Sequence, residues 1–123
     1  MTIFRFSNRS IQNLNSVDAR LALVASRALL YSKVDFVIVE GRRSLERQRK
    51  LFEEGASLTM NSKHLEGLAI DVAAINEEGV SYEWHYYELI AKAFDRAARE
   101  LNIPLRWGGD FENIADGAHF ELN

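Results

Sequence analysis

Two of the chain's three histidines stand in stretches whose residue types suit chemistry: Ser62-Lys63-His64-Leu65-Glu66-Gly67-Leu68-Ala69-Ile70-Asp71, and Asp116-Gly117-Ala118-His119-Phe120-Glu121-Leu122. Each imidazole lies near a carboxylate at the edge of an apolar run. His64, Asp71 and His119 together offer two imidazoles and one carboxylate, and a fourth position open to water is the arrangement of catalytic rather than structural zinc. The chain has no cysteine, so thiolate ligands, thiol catalysis and disulfide stapling are excluded and a metal must use His and carboxylate. A single histidine is more often a core or surface residue. Here the small residues Gly67, Ala69, Gly117 and Ala118 permit close backbone approach around both rings. His85, in Glu83-Trp84-His85-Tyr86 near the start of a helix, reads as a surface or interface residue.

A water acidified by a metal needs a base to take its proton. Asp116, three residues before His119, is one candidate. Glu121 shares a strand face with His119 and is either a rival base or the partner that orients the imidazole. Spacing does not choose between them. Arg42 and Arg43 follow a strand end, where a guanidinium binds a carboxylate or steadies charge developing on a carbonyl oxygen; the alternative is two solvated arginines. Ser62, His64 and Asp71 match a nucleophilic triad in composition, but no Gly-x-Ser-x-Gly elbow accompanies them.

These groups need rigid elements to aim them. Seven residues separate His64 from Asp71, which suits one helix face, yet Gly67 and the β-type run after it favour a loop leading into a strand. That strand, Leu68 to Ile75, carries Asp71, and a final strand from Ala118 to Leu122 would pair with it antiparallel and aim His119 at the same point. Val34 to Glu40 reads as another strand, central because its apolar run is nearly continuous. A weak helix signal covers Asn8 to Leu14. A helix is expected over about 16–31, capped by Asn15 or Ser16. Ser44 begins another that stops at Gly55. Loop follows from Ser57 to Lys63. After a turn at Asn76 to Gly79, a long helix capped by Ser81 runs to Asn102 and Pro104 with Trp84, Tyr87, Ile90, Phe94 and Leu101 on its apolar face. Leu105 to Trp107 reads as a short strand broken by Gly108 and Gly109.

The pattern is α+β, a small antiparallel sheet packed with helices, in one domain spanning 1–123. At 123 residues with 47% hydrophobic and 27% charged content, the chain can bury one core and not two. The net charge of -3 comes from mixed acidic and basic residues without a basic stripe, so no nucleic-acid partner is expected. No run reaches the ~18 apolar residues of a membrane span, and no signal-peptide pattern opens the chain. A monomer is expected.

The sequence resembles the zinc peptidases of the hedgehog/D-Ala-D-Ala-peptidase fold, in particular the small L-alanyl-D-glutamate peptidases found as phage endolysins. Their Ser-x-His-x-x-Gly-x-Ala-x-Asp motif stands here as Ser62, His64, Gly67, Ala69 and Asp71, and their terminal Asp/Glu-x-x-His as Asp116 and His119. Gly41, Arg43 and Ser44 match the Gly-x-Arg-Ser segment, with Gln48 beyond. Trp107-Gly108-Gly109-Asp110-Phe111 matches a Trp-Gly-Gly-Asp-aromatic stretch. Where many relatives carry proline before the last histidine, this chain has Ala118. The resemblance implies Zn2+ held by His64, Asp71 and His119, Asp116 as catalytic base, and Arg43 rather than Arg42 in the substrate or oxyanion position. It further implies peptidoglycan stem peptide as substrate, cut between L-Ala and D-Glu for host cell lysis. Synthesis is expected in the bacterial host cytoplasm, with action on the wall in the periplasm after a separate permeabilising step. The nearest alternative is a D-Ala-D-Ala carboxypeptidase or dipeptidase. A mononuclear Fe(II) oxygenase shares the ligand set but needs a barrel of many more strands, and a wall-binding module would keep zinc for folding alone.

Overall fold

The computed structural model describes residues 3–112 and 114–123. Among these residues four α-helices, α1 (Asn8–Asn15), α2 (Ala19–Tyr31), α3 (Leu45–Glu53) and α4 (Trp84–Leu101), accompany five strands, β1 (Asp35–Glu40), β2 (Ala69–Asn76), β3 (Gly79–Ser81), β4 (Leu105–Trp107) and β5 (His119–Leu122). All pairings are antiparallel, in the order β1-β2-β5-β4, with β3 paired to the far end of β2. The expected α+β architecture is therefore present, and it is an open sheet rather than an oxygenase barrel.

β2 is the organising strand. One edge pairs along β1, and the other pairs first with β5 and then with β3. Its alternation sends Ile70, Val72 and Ala74 into a core completed by Phe36 and Ile38 of β1, Leu21 and Val24 of α2, and Ile90 and Phe94 of α4. Phe94 stacks on Phe120 of β5 with ring centroids 3.9 Å apart. Asp71 is left at the end of the sheet, opposite His119 on β5.

Three expectations are corrected. The helix expected over about 16–31 starts later: α2 begins at Ala19 with Asp18 rather than Asn15 or Ser16 as its cap, the carboxylate accepting from the Arg20 N–H, while the weak signal over Asn8 to Leu14 is the separate helix α1. Ser16 is used elsewhere, its hydroxyl accepting from the Arg42 N–H. α4 begins at Trp84, and Ser81 lies in the unforeseen strand β3. Finally, β1 is an edge strand rather than a central one. Its free edge is closed by α1, where Ser10 Oγ accepts from Ile38 N–H at 2.9 Å and Asn13 Nδ2 donates to Ile38 C=O at 2.7 Å. Side chains thus take the place of a neighbouring strand, and an apolar edge is protected from other chains. Ser10→Ala is expected to leave the buried Ile38 N–H without a partner and cost about 1–3 kcal/mol, read as a lower urea midpoint with an unchanged slope.

Candidate metal centre

His64 sits in a 3-10 turn, Lys63–Glu66, that Ser62 starts and Gly67 ends. The Ser62 hydroxyl accepts from the His64 N–H, and Gly67 takes the left-handed conformation, φ 71°, that lets the chain enter β2. The ring is nearly fully buried. Its Nδ1 lies 2.9 Å from the carbonyl of Gly41, an acceptor only, so neutral His64 carries its proton on Nδ1 and presents a bare Nε2. That Nε2 is buried without a hydrogen-bond partner, 3.2 Å from Asp71 Oδ1.

His119 repeats the arrangement with the nitrogens exchanged. Nε2 lies 2.8 Å from Glu121 Oε1, which can only accept, while Nδ1 lies 3.2 Å from Asp71 Oδ1. Glu121 is in turn paired with Lys63, Nζ to Oε2 3.1 Å. Glu121 therefore orients the imidazole. One ligand atom from each of His64, Asp71 and His119 lies within 4.8 Å of the others.

The electrostatics match a cation at this point. Burial opposes the charge of Asp71, yet the two imidazoles outweigh it and hold the carboxyl well below the usual range. Burial likewise disfavours charged His119, but Asp71 and Glu121 outweigh it and raise the imidazole above its ordinary value. A divalent ion at this point would satisfy Asp71 and both ring nitrogens. The orphaned Nε2 of His64 and this donor set fit zinc.

Asp116 and Arg43 line the same cleft of about 340 Å³, with Glu40 and Arg47 at its side and Phe111 against His119, ring centroids 5.6 Å apart. Asp116 sits in the wall of the cleft, outside the ligand cluster. Burial of its carboxyl, then the charge of Asp71, raise its pKa, with His119 opposing. Its loop is tied by backbone bonds: Asp116 N–H to Gly108 C=O at 2.8 Å, and Val72 N–H to Ala118 C=O at 2.8 Å. Trp107 Nε1 adds a bond to Gly117 C=O at 2.9 Å. These ties restrain the segment around Ala118. Gly108 is required for the approach, since a Cβ there would overlap the Asp116 carbonyl oxygen and lie 2.9 Å from His119 Cβ.

Arg43 is held more tightly than the sequence indicates. The register of β1 slips between Ile38 and Glu40, so Glu40 stands opposite Asp71. Its carboxylate takes a fork from Arg43, Nε to Oε1 2.6 Å and Nη2 to Oε2 3.0 Å. Gln48, fully buried, accepts from Arg43 Nη1 at 2.7 Å and donates to Ser57 Oγ and the Thr59 carbonyl. One N–H remains on each terminal nitrogen, with Nη2 3.7 Å from Asp71 Oδ2. Glu40 was not among the expected site residues; its signal is the carboxylate at a strand end three residues before Arg43.

Arg42 is exposed, and His85 is exposed on α4, stacked on Tyr86. The Ser62 hydroxyl bonds the His64 backbone N–H and not its ring, which leaves the nucleophilic triad without its central contact. A larger groove of about 630 Å³ between α4 and β4 contains none of these groups.

The fold is that of the hedgehog/D-Ala-D-Ala peptidases. The vancomycin-resistance D,D-pentapeptidase VanY, solved in complex with Zn(II), superposes with a TM-score of 0.51 at 19% identity over 96% of this chain and 72% of that one. At that identity the likeness shows the fold alone. The family is narrower: residues 1–122 match the model of the phage L-alanyl-D-glutamate peptidases, and the chain belongs to that family. The L-alanyl-D-glutamate peptidase of Escherichia phage T5 is 34% identical, covering 97% of this chain and 98% of its own length. The L-Ala D-Glu endopeptidase ChiX of Serratia marcescens is 47% identical with a TM-score of 0.92, covering 97% of this chain and 90% of that one.

Proposed function

We propose that this chain is a single-domain, zinc-dependent L-alanyl-D-glutamate endopeptidase that opens the peptidoglycan stem peptide, acting as a phage or prophage endolysin. The observation that carries the reading is the convergence of His64 Nε2, Asp71 and His119 Nδ1, with each ring's other nitrogen already engaged. Family membership supplies the bond. Zinc, when bound, supplies Lewis acidity that polarises a carbonyl and acidifies water.

The chain's own groups do the rest. His64, Asp71 and His119 would hold the ion, with Gly41 C=O and Glu121 fixing the two rings. Asp116 takes the proton of the attacking water on its carboxylate and returns it to the departing amine. Arg43, anchored by Glu40 and Gln48, aims its remaining N–H groups at oxygen in the cleft, where charge develops on the carbonyl.

The reading extends to a monomer made in the bacterial host cytoplasm that meets the wall in the periplasm once the membrane is permeabilised. Among the described residues no helix is long and apolar enough to cross a membrane. Protein stripped with a chelator and titrated with zinc is expected to take up about one ion per chain, and to release soluble peptide from purified sacculi only after the addition. Release at full rate without metal would overturn the reading. The alternative substrate is a D-Ala-D-Ala terminus. Release of D-Ala or its dipeptide, with the L-Ala–D-Glu bond intact, would select that substrate.

A further inference from the structure

The cleft contains two guanidinium groups in different electrical states. Arg43 is 9% exposed at its side chain, and its charge is matched by the Glu40 fork and approached by Asp71. A carboxylate docking on Arg43 would sit among two others. Arg47, in the first turn of α3, lines the same cleft and is exposed; among the described residues its guanidinium makes no hydrogen bond or ion pair. Only its backbone is engaged, the N–H donating to Ser44 Oγ. Ser44 caps α3, so the backbone that carries Arg47 is held at the cleft.

A stem peptide continues from D-Glu through the γ-carboxyl group, so the residue on the leaving side of an L-Ala–D-Glu bond bears a free α-carboxylate next to the scissile nitrogen. We propose that Arg47 is the specificity residue that binds this α-carboxylate, while Arg43 is reserved for uncharged or partly charged oxygen at the reacting carbonyl. The inference rests on the assignment of the bond under Proposed function. It follows from charge pairing: among the described residues Arg47 carries the guanidinium in the cleft whose charge no carboxylate already matches, so an anion docking there meets an unneutralised planar cation. A substrate whose D-Glu is amidated to D-isoglutamine lacks the anion and forfeits that fork.

The test compares two synthetic muropeptides that differ only in α-carboxylate or α-carboxamide at D-Glu, with zinc-loaded wild type, Arg47→Ala and Arg47→Lys. Wild type is expected to favour the free acid roughly tenfold in kcat/KM, chiefly through KM, with the preference shrinking at high salt. Arg47→Ala is expected to bring that ratio close to one, and Arg47→Lys to keep part of it, since an ammonium retains the charge and loses the fork. An Arg47→Ala protein with the wild-type ratio would overturn the proposal, as would a wild type indifferent to amidation. Should wild type cut neither peptide between L-Ala and D-Glu, the assignment of the bond fails first, and the role of Arg47 with it.

Discussion

Asp116→Asn is expected to lower kcat on muropeptides by roughly a hundred- to ten-thousand-fold while zinc content and unfolding midpoint stay at wild-type values. The amide keeps the size of the side chain and removes the basic oxygen. Asp116 lies outside the set of atoms that converge on the metal position, so its loss leaves the ligand cluster whole. Its loop is held through main-chain bonds to Gly108 and Trp107 Nε1, which the substitution does not touch. In the metal-free chain, burial and the charge of Asp71 raise its pKa, with His119 opposing. Steady-state kinetics beside elemental analysis checks this. A variant with full kcat would transfer the base role away from Asp116, and Glu121 is already committed to His119 and Lys63.

His64→Ala is expected to abolish hydrolysis together with zinc uptake. The ring is buried, its Nδ1 is fixed by Gly41 C=O, and its Nε2 has no protein hydrogen-bond partner. Glu121→Gln provides the graded comparison. It preserves a contact to His119 Nε2 but removes the charge that raises the imidazole's proton affinity, and such outer partners typically cost 10–100-fold in metal affinity or activity. Zinc titration by calorimetry should therefore rank wild type above Glu121→Gln, with no uptake by His64→Ala. The upward shift of melting temperature on adding zinc should follow the same order. Equal affinities in all three proteins would place the ion elsewhere.

Much of the candidate site was legible in the sequence because few residues of this cysteine-free chain suit a transition metal. The strand reading of Leu68 to Ile75 and Ala118 to Leu122 then brought Asp71 and His119 side by side, as their pairing has it. The glycine after His64 marked the turn that sends the chain into β2. What escaped depends on contacts between distant segments. Ser16 is a reasonable helix cap by local rules, but its hydroxyl serves Arg42 twenty-six positions away, and Asp18 caps α2 instead. β1 looked central because nothing local reveals that Ser10 and Asn13 close its outer edge. The pairing of Glu40 with Arg43 arises from a register slip that residue types alone do not specify. The contrast between Arg43 and Arg47 was invisible for the same reason, since it lies in which guanidinium has found a carboxylate.

Mass spectrometry of the products from purified Gram-negative muropeptides tests the central claim most directly. A zinc-loaded chain is expected to release a peptide whose new amino terminus is D-Glu, leaving L-Ala on the muramic acid side, and to release nothing after zinc is withdrawn. Release of D-Ala with the L-Ala–D-Glu bond intact, or the same cleavage by metal-free protein, would contradict the account.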